Sequence, residues 1–411
     1  MQTFETQSML ARLRSHPVAT IFVLALALRI VASFAIHQYC TRAGRDFLIE
    51  GDANGYWHLA GTIANGDEYV IGNRYALRMP GFPMLLALAS KLGGESVLAA
   101  RLVISVISAL GCVAVFLLGR ALVNDRVGWL AGLWTAISPT LVGFTPLILT
   151  ESVFATTLTI SIVLLHFTHQ QLVCRHGFFR LAVATGAAIA MATYVRPTWV
   201  LAAPAFAICL WLKHRSADSL KAGTIMCVAT LLALVPWGLR NKQVTDHFVL
   251  TTLWVGPSLY DGLHTSATGE SDMQFVETDG LMMELGEYKA NQHYKNLALR
   301  FAADNPGRAM ELGVRKLGRF WSPLPNAAQF KSIGPRIACL VGFVPLMLLA
   351  MRGTWITRKN LWALALCLGP IVYFSLLHTV FVGSLRYRLP AEYPLSVLAA
   401  CGFPSRGPSG N

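Results

Sequence analysis

Long apolar runs separated by short polar segments dominate the chain. They fall at 17–37, 97–119, 127–145, 147–168, 178–195, 198–213, 221–239, 335–351, 360–381 and 389–403. A hydrocarbon core of about 30 Å needs roughly 20 helical residues at about 1.5 Å each, so these runs predict roughly nine to eleven transmembrane helices. The last reads weakest, because the chain runs into Gly407–Asn411 soon after it. The first follows Arg12 and Arg14 as a secretory signal would. It is longer than the apolar core of a signal, however, and no small-x-small cleavage site follows, so it reads as an uncleaved first helix.

Two long segments, 38–96 and 240–334, interrupt the series. Within the first, ANGYWHLAGTIAN (53–65) places Tyr56, Leu59, Ala60 and Ile63 on one helical face, and FPMLLALASKL (82–92) is apolar but too short to span. Both suit helices lying in the membrane interface. The second predicts a helix over 282–303 and another opening at Asp304-Asn305-Pro306, where a cap residue precedes proline.

Lys and Arg in the short connections set an orientation. Arg12 and Arg14, Arg120 and Arg126, Arg175 and Arg180, Lys213 with Arg215 and Lys221, and Arg352 with Arg358 and Lys359 alternate with the spans and mark the cytoplasmic side. Both long segments then lie outside. This divides the chain into an N-terminal transmembrane module (1–240, with the first outer loop at 38–96), an extracytoplasmic lobe (241–334) and C-terminal transmembrane helices (335–411).

Composition agrees with a membrane protein. Apolar residues make up 54% and charged residues 13%, against about a quarter charged in soluble domains. The net charge of +13 does not point to nucleic acid, because the basic residues sit between apolar runs rather than in a patch interleaved with aromatics. The eight cysteines are scattered, mostly within those runs, and form neither a C-x-x-C pair nor a disulfide framework. H-E-x-x-H, Walker and G-x-G-x-x-G patterns are absent. His166, His169 and His176 lie at a cytoplasmic end, far from the carboxylates. No ligand cluster calls for a divalent metal, and no cofactor is expected.

The charged residues that topology does not explain are the candidates for chemistry. Glu50 and Asp52 follow the first span, with Tyr56 four residues on. A carboxylate there suits a general base that takes the proton of a hydroxyl or amine acceptor, and a solvated loop acid is the plainer reading. Glu151 in LILTESVF lies among apolar residues near the outer end of a span, where a charge costs free energy unless it faces a wet cavity or a partner. It is a site residue or one half of a structural ion pair. Arg196, Arg240, Arg386 and Arg388 all sit where a span meets the outer surface. Guanidinium there binds a phosphate ester and stabilises its charge as it departs, or else snorkels to lipid headgroups. Arg29 lies inside the first span and needs a partner, with Glu151 or Asp52 as candidates. His378, at the end of a span just before Arg386, is a structural histidine or a substrate ligand.

In order, GDANGYWHLA, RMPGFP, ISPTLV with LTESVF, YVRPTWVLAAP, PWGLRN, NPGRAMELGVRKLGRFWSPLP and LRYRLPAEYP resemble the integral-membrane glycosyltransferases of the GT-C type. The resemblance is to the bacterial branch grouped with the dolichyl-phosphate-mannose protein mannosyltransferases and aminoarabinose transferases, and it covers nearly the whole chain. It implies an all-α polytopic helical bundle in the cytoplasmic (inner) membrane with its active site facing outward. The implied reaction moves a hexosyl or pentosyl unit from a polyprenyl-phosphate donor to a glycan, lipid or protein acceptor, with inversion. By the same resemblance an acidic residue of the first outer loop is the base; Asp52 matches its position, while Glu50 stands one residue out of the usual acidic pairing, which leaves the division of labour between the two open. Glu151 matches the second acidic position, and Arg196, Arg240 and Arg386 match basic positions near the donor phosphate. Tyr56, Arg78, Arg388 and His378 complete the substrate-binding set. Relatives often carry further spans or a terminal domain beyond the position of Asn411. A transporter or flippase for a lipid-linked anion is the alternative reading of intramembrane charge, but no internal repeat supports it. A noncatalytic scaffold would leave Glu151 and the arginines unexplained, and a lipid-linked phosphotransferase is a neighbouring enzymatic reading.

Overall fold

A computed structural model describes residues 16–325, 330 and 332–404. Arg12, Arg14 and Gly407–Asn411 lie outside the described residues. Helices α1 (Pro17–Arg42), α2 (Glu50–Asn65), α3 (Gly81–Gly93), α4 (Val97–Leu122), α5 (Asp125–Ile137) and α6 (Pro139–Phe144) lead to α7 (Glu151–Val173), α8 (Phe179–Val195), α9 (Ala202–His214) and α10 (Ala217–Thr245). A group of shorter elements follows: α11 (Val255–Gly262), α12 (Phe275–Thr278), α13 (Leu281–Leu285), α14 (Glu287–Asp304) and α15 (Pro306–Trp321). The chain closes with α16 (Ile333–Thr357), α17 (Leu361–Val380) and α18 (Leu389–Cys401). The described residues contain no strand, as expected for an all-α membrane bundle.

Among the described residues, six helices are long and apolar enough to cross a bilayer alone: α1, α4, α7, α10, α16 and α17. A seventh span is formed if α5 and the segment Pro139–Leu147 count as one, bent by 49°. Roughly nine to eleven were expected from an even supply of 20-residue runs. The other runs instead form shorter helices, broken by prolines or enclosed by their neighbours. Proline cannot donate to the helical ladder, and Pro139 leaves the carbonyl of Thr135 without its usual partner four residues on. Arg29 fills that gap. Fully buried, it donates to the carbonyls of Thr135 (3.0 Å) and Ala136 (3.1 Å) and to the Ser108 hydroxyl (2.8 Å). A cation at a helix C-terminus also meets the negative end of the helix dipole. Its partners are therefore a broken helix end, not Glu151 or Asp52.

The run that read weakest is the centre of the bundle. Every residue of α18 from Leu389 to Ala400 is buried, and the helix packs against α4, α5, α7, α16 and α17. Glycine permits the closest crossing: a β-carbon on Gly353 of α16 would lie 1.7 Å from the Leu398 carbonyl oxygen. With 13 residues, α18 is too short to cross a bilayer and needs no lipid-facing surface, because neighbouring helices surround it.

The two long segments between the spans pack on this bundle. The face predicted on α2 is turned into protein, with Ala53, Tyr56, Leu59 and Ala60 buried and Ile63 half-buried. In α3, by contrast, Met84, Leu88 and Leu92 are exposed along one face, the pattern of an interfacial helix. The helix predicted over 282–303 is divided at Gly286, whose φ of 74° ends α13 and lets α14 start in a new direction. Asn305 precedes α15 as predicted, but its side chain donates to the Phe301 carbonyl instead of capping the new helix.

Candidate active site

Five charged side chains from five separate parts of the chain form one alternating series. Asp52 lies in the first turn of α2, and Arg78 in the loop before α3. Glu151 is the first residue of α7, Arg196 follows α8 at the break before Pro197, and Arg386 lies in the single 3-10 turn Leu385–Tyr387 ahead of α18. Arg78 Nη2 is 2.6 Å from Asp52 Oδ1, and Arg386 Nη2 is 2.6 Å from Asp52 Oδ2. Arg386 Nε also donates to Glu151 Oε1 at 2.8 Å, and Arg196 Nη2 stands 3.6 Å from the same oxygen. Each carboxylate therefore lies between two guanidinium groups, and Arg386 is shared.

Local structure explains why these groups tolerate each other. Asp52 and Glu151 sit at helix N-termini, where free N–H groups and the helix dipole favour negative charge. The Glu151 side chain is only 2% exposed, and its Oε2 is buried without a hydrogen-bond partner. An ionised oxygen left bare in protein costs free energy unless a further group reaches it. Asp52 is more open, with its side chain 25% exposed. Burial acts to raise the Asp52 pKa, but the Arg78 and Arg386 guanidinium groups outweigh it and hold the carboxyl well below the ordinary carboxylate range.

Aromatic rings support the arginines. The Arg78 guanidinium lies 5.2 Å from the Tyr56 ring centre, and Tyr56 meets Phe82 edge to face. Arg196 and Arg386 share the Tyr387 ring at 5.1 and 5.2 Å. Tyr387 stacks on His378, with centres 4.5 Å apart and planes 2° from parallel, and His378 stacks in turn on Phe320. His378 Nδ1 is 2.8 Å from the Val382 carbonyl, which only accepts, so Nδ1 carries a proton. The expected ligand His378 thus stands beneath the charged series rather than in it. Tyr387 was not anticipated, although it lies between the two arginines of LRYRLP.

The structure does not bring the remaining expected residues together. Arg388, two residues from Arg386, points into the protein. It pairs with Glu392 at 2.7 Å, both groups 1% exposed, and donates to the Phe320 and Ser322 carbonyls. Residues two apart across a 3-10 turn face different ways, so one arginine of the motif enters the site and the other anchors α18. Arg240 also stands apart, donating to the Tyr69 and Tyr75 carbonyls and lying over the Tyr69 and Trp237 rings. Its guanidinium is occupied by the loop before α3 and does not join Asp52 and Glu151. Glu50 is exposed and outside the series. Among the described residues, no group of three or more His, Cys, Asp or Glu side chains is arranged to hold a metal ion.

Residues 78–238 match the family described as dolichyl-phosphate-mannose-protein mannosyltransferase. Arg78, Glu151 and Arg196 fall within that stretch, and Asp52 and Arg386 outside it. No curated protein matches the chain. Several solved structures share its fold. The oligosaccharyltransferase of Archaeoglobus fulgidus, tethered with an acceptor peptide, superposes with a TM-score of 0.58 at 14% identity, covering 95% of this chain and 50% of that one. The archaeal oligosaccharyltransferase AglB from Archaeoglobus fulgidus, in complex with an inhibitory peptide and a dolichol-phosphate, gives 0.56 at 12% identity, with 95% and 50% covered. ArnT from Cupriavidus metallidurans bound to undecaprenyl phosphate gives 0.53 at 18% identity, with 92% and 59% covered. The chain thus spans between half and three-fifths of the length of these structures. It is an integral membrane protein with the fold of the GT-C glycosyltransferases, and over residues 78–238 it is similar to the dolichyl-phosphate-mannose-protein mannosyltransferases.

Proposed function

We propose that the protein transfers a sugar from a polyprenyl-phosphate donor to an acceptor at the extracytoplasmic face of the membrane, with inversion at the anomeric carbon. One observation carries this reading: two carboxylates and three arginines from distant parts of the chain alternate in one contiguous series. In this reading residues 241–334 form the extracytoplasmic lobe over the site.

The chemistry follows from charge. In a prenyl-phosphate sugar the phosphate is a diester with one negative charge. When the anomeric C–O bond breaks, it leaves as a monoester and gains a second. Guanidinium groups placed in advance stabilise that gain more than the ground state, which is what accelerates the step. Arg386 and Arg196, side by side over Tyr387, are the groups for this task, with Arg78 alongside. Asp52 takes the acceptor's proton as the acceptor heteroatom bonds to the anomeric carbon, and a single displacement inverts that centre.

Asp52 clasped by two guanidinium groups is a weak base. A bound phosphate competes for the same guanidiniums and loosens their hold on the carboxylate, so donor binding itself strengthens the base. Glu151 stays paired and holds Arg386 in reach. The test is purified protein in vesicles given prenyl-phosphate sugar with labelled sugar and labelled lipid. The expected result is parting of the two labels as free prenyl phosphate appears. Movement of intact donor between leaflets with no bond cleaved would overturn the reading in favour of a lipid transporter.

A further inference from the structure

Arg78 is carried by a loop whose backbone is held from outside at Tyr69, Tyr75 and Ala76. Glu287, the first residue of α14 and itself buried, accepts the backbone N–H of Tyr75 at 2.8 Å and that of Ala76 at 3.0 Å. On the other side of the Tyr75 residue, Arg240 of α10 donates to the Tyr75 carbonyl and to that of Tyr69. The Leu253 N–H donates to the Ala76 carbonyl at 2.9 Å, and the Tyr69 hydroxyl reaches the Arg78 carbonyl at 3.2 Å. Farther on, a β-carbon on Gly81 would lie 2.8 Å from the Tyr194 backbone, so α3 starts hard against α8.

We propose that Glu287 and Arg240 are positioning residues that grip the Tyr75–Ala76 backbone from opposite sides and thereby deliver the Arg78 guanidinium to Asp52. The inference rests on the reading of Asp52 as the base and assigns the segment that carries Glu287 a part in fixing the cation beside it. Two oppositely charged side chains reach one short stretch of backbone, a carboxylate for its N–H groups and a guanidinium for its carbonyls. Each meets the backbone atoms it can bind, and charge-assisted bonds of this kind are the stronger class. Without them the loop regains its conformational freedom, and Arg78 must be ordered again each time it meets Asp52. The geometry also accounts for Arg240 lying near the outer surface without entering the charged series.

Titration of Asp52 reads the effect directly. The charged and titratable groups acting on it are Arg78, Arg386 and Arg196, with Tyr56 and Glu151 close by. Weakening the Arg78 contact removes a cation, so the protonation midpoint of Asp52 moves up. Infrared spectra of carbon-13 aspartate-labelled full-length protein, with the band missing in Asp52→Asn as the assignment, follow that midpoint in wild type, Arg78→Gln, Glu287→Ala, Arg240→Ala and Arg240→Lys. Arg78→Gln is expected to raise it by about one unit or more. Glu287→Ala and Arg240→Ala should cover most of that shift, and Arg240→Lys should return toward wild type because lysine still donates to both carbonyls. General destabilisation would lower the folded fraction without moving the midpoint. If Glu287→Ala does not fold, the Arg240 pair decides. A wild-type midpoint in the alanine variants beside a raised one in Arg78→Gln overturns the proposal, and so does an unmoved midpoint in Arg78→Gln. Absence of sugar transfer by wild type would sink the functional reading, whereas the titration tests the loop's grip on Arg78 whether or not transfer occurs.

Discussion

Asp52→Asn is expected to lower sugar transfer by about 10²–10⁴-fold, the range a positioned acid or base contributes, while the protein remains inserted and folded. The two parts of that expectation have separate grounds. Asparagine still accepts a hydrogen bond from Arg78 or Arg386, so the geometry persists, but an amide oxygen takes no proton from the acceptor. Folding should survive with some loss of stability, because the Asp52 side chain is a quarter exposed and water reaches the arginines left behind. Initial rates with labelled donor, alongside thermal unfolding in detergent, check both parts. Near-wild-type turnover in a folded Asp52→Asn protein would remove Asp52 from the base role.

Replacing Arg386 should act on stability as well as activity. Arg386 is the only residue of the series that bridges the two carboxylates. Glu151 already has one oxygen without a partner, and Arg386→Ala would leave its other oxygen with only Arg196 at 3.6 Å. Removing one member of a buried pair costs about 3–5 kcal/mol, because an uncompensated charge remains. Arg386→Ala should therefore lower the melting temperature markedly and abolish transfer. Adding Glu151→Gln to it should recover much of the stability, since the stranded charge is gone, and none of the transfer, since the phosphate ligand is still missing. Recovery of transfer in the double variant would show that Arg386 serves only to neutralise Glu151.

The membrane bundle and the charged candidates were legible in the sequence for one physical reason. Apolar runs have few alternatives to a bilayer, so a carboxylate or guanidinium at their edge stands out. Glu151, Arg196 and Arg386 were found that way, and Asp52 by its place after the first span. What periodicity does not carry is direction within a tight turn. Arg386 and Arg388 look alike in LRYRLP, and only the 3-10 turn sends one to Asp52 and the other to Glu392. Arg240 misled for a related reason. It lies near the C-terminal end of its helix, but the loop it meets comes from more than 160 residues earlier in the chain, and no local pattern announces that contact. Length misled for α18, because a helix enclosed by others need not match the thickness of a membrane.

At the centre of the account is an arginine series that holds the anionic head of a prenyl carrier, with affinity that comes from the phosphate and not from the chain alone. Native mass spectrometry of the detergent-solubilised protein with equal amounts of undecaprenyl phosphate and undecaprenol measures this directly. Wild type should retain the phosphate at least about tenfold more strongly, a difference of about 1.4 kcal/mol, and Arg196→Gln should erode that preference without affecting undecaprenol. Equal retention of the two lipids by wild type, or a preference untouched by loss of the Arg196 guanidinium, would contradict the account.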